Sequence, residues 1–252
     1  MAKREEIIKF LNKELNIKKI KDSSRNGLQV KGRNDIKKIA FSVDACMETF
    51  EKAKKQGCNL IIVHHGILWK GDRVPKDILN KRINYLKKNK ISLYAAHLPL
   101  DLHNKYGNNI ELARILNLKN IKKFGDYHGV DIGYKGKFEK PIRSDDIKKI
   151  LDKKLKTKSF IIPSKNNKNI KTIGIISGGG DSELPQAIEK KLDCFLTGEP
   201  LHFTYHYAKE AGMNLIFAGH YATETVGVKA LMPILKEKFG VKTIFIDIPT
   251  GL

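Results

Sequence analysis

Cysteine is scarce in this chain: three in 252 residues, at positions 46, 58 and 194, with no CxxC pair. So small, odd and scattered a set excludes a disulfide framework and points to a reducing cytoplasm. Cys46, Cys58 and Cys194 each stand in an apolar context and read as small buried hydrophobes. Long apolar runs are missing too. No stretch approaches the roughly 20 consecutive apolar residues that a membrane-spanning helix needs, so no membrane partner is expected. The opening MAKREEIIKFLNKEL has neither an apolar core nor a small-residue cleavage site, and no secretory signal is expected there. Acidic residues are few against basic ones, 27 to 48, for a net charge of +21. That balance suggests nucleic acid or another polyanion as a partner. Arginine, however, supplies only seven of the 48 cations. Dedicated phosphate and base readers lean on arginine, and a lysine-rich composition also arises from genome bias or a thermophilic surface. The excess is uneven: residues 137–171 carry a net +8, whereas residues 197–252 are neutral.

What is present is a core and a rhythm. Hydrophobic residues make up 41% of the chain, enough for a globular protein of one large domain or two small ones. Ile7, Ile8, Leu11 and Leu15 recur at helical spacing over residues 4–15. After the turn-rich DSSRNG and a short LQV strand, the pattern alternates: strand IKKIAFSVD, helix METFEKAKK, strand NLIIVHH, a Lys-rich helix over 76–89, strand ISLYAA and helix 108–117. A second series begins near Gly125, with helix 144–156, strand TIGIIS, the glycine turn GGGD, helix 183–191, strand DCFLTG, helix 201–211, strand NLIFAG, helix 222–239 and strand TIFIDIP. The polar stretch 163–169 reads as a loop or hairpin tip. Alternation of this kind predicts an α/β fold with mostly parallel sheets.

The two series are related. Residues 49–65, TFEKAKKQGCNLIIVHH, lie over residues 204–220, TYHYAKEAGMNLIFAGH, at a constant offset, matching at eight of 17 positions. Asp44 lies over Glu199 in the same frame. Helix–Gly–strand units share a pattern, but periodicity does not explain matching Asn and His. The expectation is two pseudo-symmetric α/β lobes: residues 1–124, completed by 222–252, and residues 125–221.

Three strands run into histidine: at His64 and His65, at His97 with Asp101 four residues on, and at His220 with Glu224 four residues on. In parallel α/β sheets, ligands gather outside the C-terminal ends of strands. Adjacent His64 and His65 leave an extended backbone on opposite sides, which suits two different ions. His220 and Glu224 share one helical face. Three imidazoles and two carboxylates favour zinc, iron, manganese or nickel over calcium or magnesium. Five ligands are too many for one open catalytic ion and suit a pair of divalent transition-metal ions lying between the lobes. His97 is the catalytic candidate; orienting a ligand from behind, acid–base work and a purely structural place are all open to it. SGGGDSE at 177–183 reads as a phosphate cradle or as a tight strand–helix turn.

The motifs HHG at 64–66, AAHLPLD at 95–101 and GHYATE at 219–224 resemble the NIF-three-like family, whose members are often described as GTP cyclohydrolase I type two or its homologues. RNGLQV at 25–30, TGE at 197–199 and the ending FIDIP are similar as well, so the likeness spans essentially the whole chain. The resemblance implies two similar α/β lobes around a dinuclear metal site, a toroidal homohexamer, and the ligand set His64, His65, Asp101, His220 and Glu224, the same five reached from spacing. The family motif often reads HTPLD; here Leu98 stands in place of Thr, and Asp101 is kept.

Two functions from different classes follow as expectations. The first is a metal-dependent hydrolase acting on a nucleotide, GTP cyclohydrolase-like by resemblance. The second is an oligomeric metal-holding protein that binds DNA or RNA non-specifically through its Lys-rich surface, with steep salt dependence. A metal chaperone or store is a third use of the same ligands.

Overall fold

A computed structural model describes residues 1–71, 74–165 and 169–252. Asp72 and Arg73, and residues 166–168 of the polar stretch expected as a loop, lie outside the described residues. The chain divides into two compact units: residues 1–100 with 228–248, and residues 101–227 with 249–252.

In the first unit, strand β1 (Ala2–Lys3) leads into helix α1 (Arg4–Glu14). Ile7, Ile8 and Leu11 of α1, and Leu15 just after it, are all buried, which is what their spacing predicts. There follow β2 (Gly27–Val30), β3 (Asp35–Ile36), β4 (Lys38–Asp44), α2 (Met47–Lys55), β5 (Leu60–His65), α3 (Lys76–Lys88), β6 (Ser92–Ala95) and the short α4 (Leu98–Asp101). β4, β5 and β6 are parallel neighbours, β2 pairs antiparallel with β6, and β1 pairs with β3. β5 reads as a continuous apolar run before its histidines because neither of its faces meets solvent; Leu60, Ile61, Ile62 and Val63 are fully buried.

The second unit contains α5 (Asn108–Ile115), β7 (Lys119–Tyr127), β8 (Val130–Ile142), α6 (Ser144–Leu155), β9 (Phe160–Ile162), β10 (Ile170–Ile175), α7 (Leu184–Glu189), β11 (Cys194–Thr197), α8 (Thr204–Glu210) and β12 (Asn214–Phe217). Helix α9 (His220–Phe239) carries the chain back to the first unit, where β13 (Lys242–Phe245) pairs parallel with β4. The first sheet therefore runs β13-β4-β5-β6-β2 and the second β7-β8-β10-β11-β12-β9.

Two expectations change. The second sheet is mixed rather than mostly parallel, because β7, β8 and β9 enter it antiparallel around the parallel trio β10-β11-β12. The first unit also stops at Leu100 and not at 124, since α5 and β7 both lie against β8. The long β7–β8 hairpin went unforeseen among its lysines. Its local signal is the two-residue turn His128-Gly129, with φ of 54° and 82°, the left-handed pair that suits a tight hairpin.

The internal repeat is realised in three dimensions. β4-α2-β5 and β11-α8-β12 are both parallel βαβ units, with separate cores. Their ladders differ by one residue in register: Ile39 pairs with Leu60, whereas Phe195 pairs with Leu215.

Candidate metal centre

In the first unit the imidazoles of His64, His65 and His97 converge. Each offers a ring nitrogen within 4.8 Å of the others, a group that could hold a metal ion. Opposite-facing side chains would keep His64 and His65 apart along a strand, but β5 ends at His65 and their ring centroids lie 4.6 Å apart. All three rings meet an oxygen through Nδ1. His64 Nδ1 lies 2.9 Å from the Ala96 carbonyl, His65 Nδ1 2.9 Å from Asp44 Oδ1, and His97 Nδ1 2.9 Å from Asp22 Oδ1. A carbonyl can only accept, so His64 carries its hydrogen on Nδ1 and its lone pair on Nε2, the form that binds metals. Trp69, the one tryptophan of the chain, places its indole 5.1 Å from the His97 ring and 6.1 Å from that of His65.

Behind these rings the segment after α1 is tied to the loop after β5. Gln29 Oε1 accepts from the Ile67 and Leu68 amides, and the Gln29 amide group is packed so closely that a Cβ on Gly66 would meet it at 2.3 Å. The motif RNGLQV therefore supports the histidine loop, although its residue types alone do not announce that task.

In the second unit His220 opens α9 and Glu224 follows one turn later. His220 Nε2 lies 3.1 Å from Glu224 Oε1, and His220 Nδ1 lies 3.1 Å from Glu199 Oε1. Glu199 thus does for His220 what Asp44 does for His65, as their shared place in the repeat suggests, and the longer side chain accompanies the shifted register. Glu224 is 3% exposed and Asp101 6%. Asp101 accepts from Asn108 Nδ2 at 2.8 Å and from Ser177 Oγ at 3.0 Å, and presents a carboxylate oxygen within 4.8 Å of one from Glu224. Two buried carboxylates this close repel unless a proton or a cation is shared among them. Hard oxygens beside an imidazole nitrogen are the donor mixture of a divalent transition metal, so the residues present fit such an ion.

The glycine loop 177–180 forms the tight strand–helix turn, the second of its two expected readings. Three of its four amides have side-chain partners: Ser177 N to Asn109 Oδ1, Gly178 N to Thr223 Oγ1 and Gly180 N to Thr197 Oγ1. Glycine serves closeness here. A Cβ on Gly178 would lie 2.3 Å from Glu224 Oε1 and 3.1 Å from His220 Nε2.

Just beyond this loop, burial pushes the Glu183 carboxyl up to about 7, with Ser182 Oγ 3.0 Å from both of its oxygens and pulling the other way. The folded-state value lies above the unfolded one, so ionisation works against the fold. The contribution is whole below about 4.5 and is lost as pH rises through about 7. Glu183→Gln should accordingly raise stability by roughly 2 kcal/mol at pH 8 and by almost nothing at pH 4, as read from urea unfolding at the two pH values.

The remaining sequence candidates fall outside these groups. All three cysteines are free; Cys58 and Cys194 are buried, and Cys46 is half-buried with its Sγ 3.3 Å from Thr49 Oγ1. Several cations of the basic segment are engaged locally, among them Lys148 with Asp152 and Lys149 with Asp146. Among the described residues, no helix is long and apolar enough to cross a membrane.

Comparison with known proteins gives the family of the chain. The sequence profile of the family Duf34/NIF3 (NGG1p interacting factor 3) matches residues 2–251. A Pyrococcus horikoshii protein named GTP cyclohydrolase 1 type 2 homolog is 47% identical over 249 residues, covering 99% of both chains. Its namesake from Pyrococcus abyssi is 46% identical over the same length and coverage. The crystal structure of TTHA1606 from Thermus thermophilus superposes with a TM-score of 0.90 at 36% identity over 100% of each chain.

Proposed function

The chain belongs to the Duf34/NIF3 family, and from that premise we propose that it is a metal-dependent hydrolase acting on a nucleotide, with two divalent transition-metal ions held by His64, His65, Asp101, His220 and Glu224. The observation that carries this reading is the buried Glu224 carboxylate, 3.1 Å from His220 Nε2 and within 4.8 Å of an Asp101 oxygen, a grouping of ligand atoms that could hold a metal ion. When bound, such a pair of ions supplies an acidified water and a positive charge beside the developing oxyanion.

The protein's own residues do the rest. Asp44 and Glu199 orient His65 and His220 through Nδ1, so each ring presents Nε2. His97 is the proton carrier: it takes a proton from the attacking water and returns it to the leaving nitrogen. The names of the Pyrococcus relatives point to a purine nucleotide. In that case the water oxygen bonds to the imidazole-ring carbon, the carbon–nitrogen bond breaks, and the nitrogen leaves with the proton His97 carried.

The test combines elemental analysis with chromatography of GTP incubated with the zinc-, manganese- or iron-loaded protein. Near two ions per chain and a ring-opened product are expected. His97→Ala should lower turnover about 10²- to 10⁴-fold while leaving the metal content unchanged. Loss of an ion in that variant would make His97 a ligand instead, and loaded protein that leaves GTP and other nucleotides intact would overturn the hydrolase reading.

A further inference from the structure

Asp22 stands in the turn-rich segment before β2, with no place in the five-ligand set, yet it is among the most heavily bonded carboxylates of the first unit. Its Oδ1 accepts from the Ser24 amide at 2.9 Å and faces His97 Nδ1 at 2.9 Å. Its Oδ2 accepts from Asn26 Nδ2 at 2.8 Å and from the Leu98 amide at 3.1 Å. Asn26 completes the clamp, because its Oδ1 accepts the His97 amide at 2.7 Å and so fixes which way its own NH2 points. The Asp22 side chain is 3% exposed and that of His97 20%. Burial alone would push the Asp22 carboxyl up, but the bonds from His97, Asn26 and Ser24 outweigh it and hold the group down at about 2.

We propose that Asp22, seated by Asn26, is a positioning residue that locks His97 as the Nδ1–H tautomer and turns its Nε2 toward the rings of His64 and His65. This rests on the reading of His97 as the proton carrier. The geometry demands a carboxylate rather than an amide. Every partner of Asp22 is a donor, two on each oxygen, so an amide in either orientation sets its NH2 against two N–H groups. The backbone amides cannot change roles and Asn26 is pinned by the His97 amide. The partner that can yield is the imidazole, by moving its hydrogen from Nδ1 to Nε2. A neutral His97 with hydrogen on Nε2 has no lone pair there for a water proton. The Trp69 indole, 5.1 Å from the His97 ring at an interplanar angle of 72°, helps fix the ring plane.

The tautomer can be read directly, without turnover. In metal-free wild-type protein labelled with ¹⁵N-histidine, at a pH above the imidazole range, His97 should show a protonated Nδ1 and an unprotonated Nε2. Its signals are assigned by their disappearance in His97→Gln. Asp22→Asn should reverse the two nitrogens. In the metal-loaded variant, turnover should fall about 10- to 100-fold with the ion content unchanged. A wild-type His97 carrying its hydrogen on Nε2 overturns the proposal, and that result needs no variant to fold. An Asp22→Asn protein with wild-type tautomer and turnover overturns it equally. If no nucleotide is hydrolysed by any form, the hydrolase reading fails while the tautomer result stands or falls on its own.

Discussion

Glu224→Gln should strip the protein of most of its bound metal. The side chain is 3% exposed and sits 3.1 Å from His220 Nε2 and within 4.8 Å of an Asp101 oxygen. It is thus the group through which the donors of the second unit meet. An amide keeps the volume but presents a neutral oxygen or an NH2 to the ion, and the charge that offsets a divalent cation is lost. Affinity should fall at least ~100-fold, more than the roughly 10- to 100-fold typical when a group behind a ligand is removed. Dialysed variant protein should then retain under about a tenth of the wild-type metal. Full metal retention by Glu224→Gln would remove this residue from the ligand set. Without metal the same substitution should stabilise the fold, because it relieves the repulsion between Glu224 and Asp101. Opposite signs in the two states, read as Tm with and without metal, would separate a ligand from a structural carboxylate.

Gly178→Ala should damage the site almost as much. Gly178 has φ of +64°, a region where an alanine costs ~1 kcal/mol from the backbone alone. The added Cβ would also meet Glu224 Oε1 at 2.3 Å, which real Cβ contacts do not permit. The carboxylate must therefore move away from His220 or the loop must lift, and the loop is held by the amide bonds to Asn109, Thr223 and Thr197. Metal affinity should drop by an order of magnitude or more, with a Tm loss of several degrees. Gly57→Ala is the control: its φ is +71° with nothing within 4 Å of the new Cβ, so it should show the backbone cost and keep its metal. Equal metal loss in both variants would mean that Gly178 acts only through backbone strain.

The candidate ligands were legible because their information is local. Histidine at the end of an apolar run, and a carboxylate one helical turn after His220, are short-range patterns, and α9 places His220 and Glu224 together with no help from the rest of the chain. The repeat was legible for the same reason. It even set Asp44 over Glu199, and each of these carboxylates meets the Nδ1 of its own histidine, 21 residues on. The β7–β8 hairpin escaped because alternation along it is masked by lysines, one of which, Lys123, sets its ammonium 4.1 Å from the centroid of the Tyr134 ring.

Helix and strand periodicity, the chemistry of the donor set and the internal duplication were thus determined by the sequence itself, since each depends on residues within a turn or a strand of one another. Only the tertiary structure decided which carboxylate serves which imidazole across 75 residues, as Asp22 does for His97. It also decided that glycine at 178 answers to a neighbouring carboxylate, and that three amides of its loop bond to side chains from other segments. Such roles come from directional contacts between segments far apart in the chain. No local propensity encodes them, because the same Asp or Gly serves equally well in an ordinary turn.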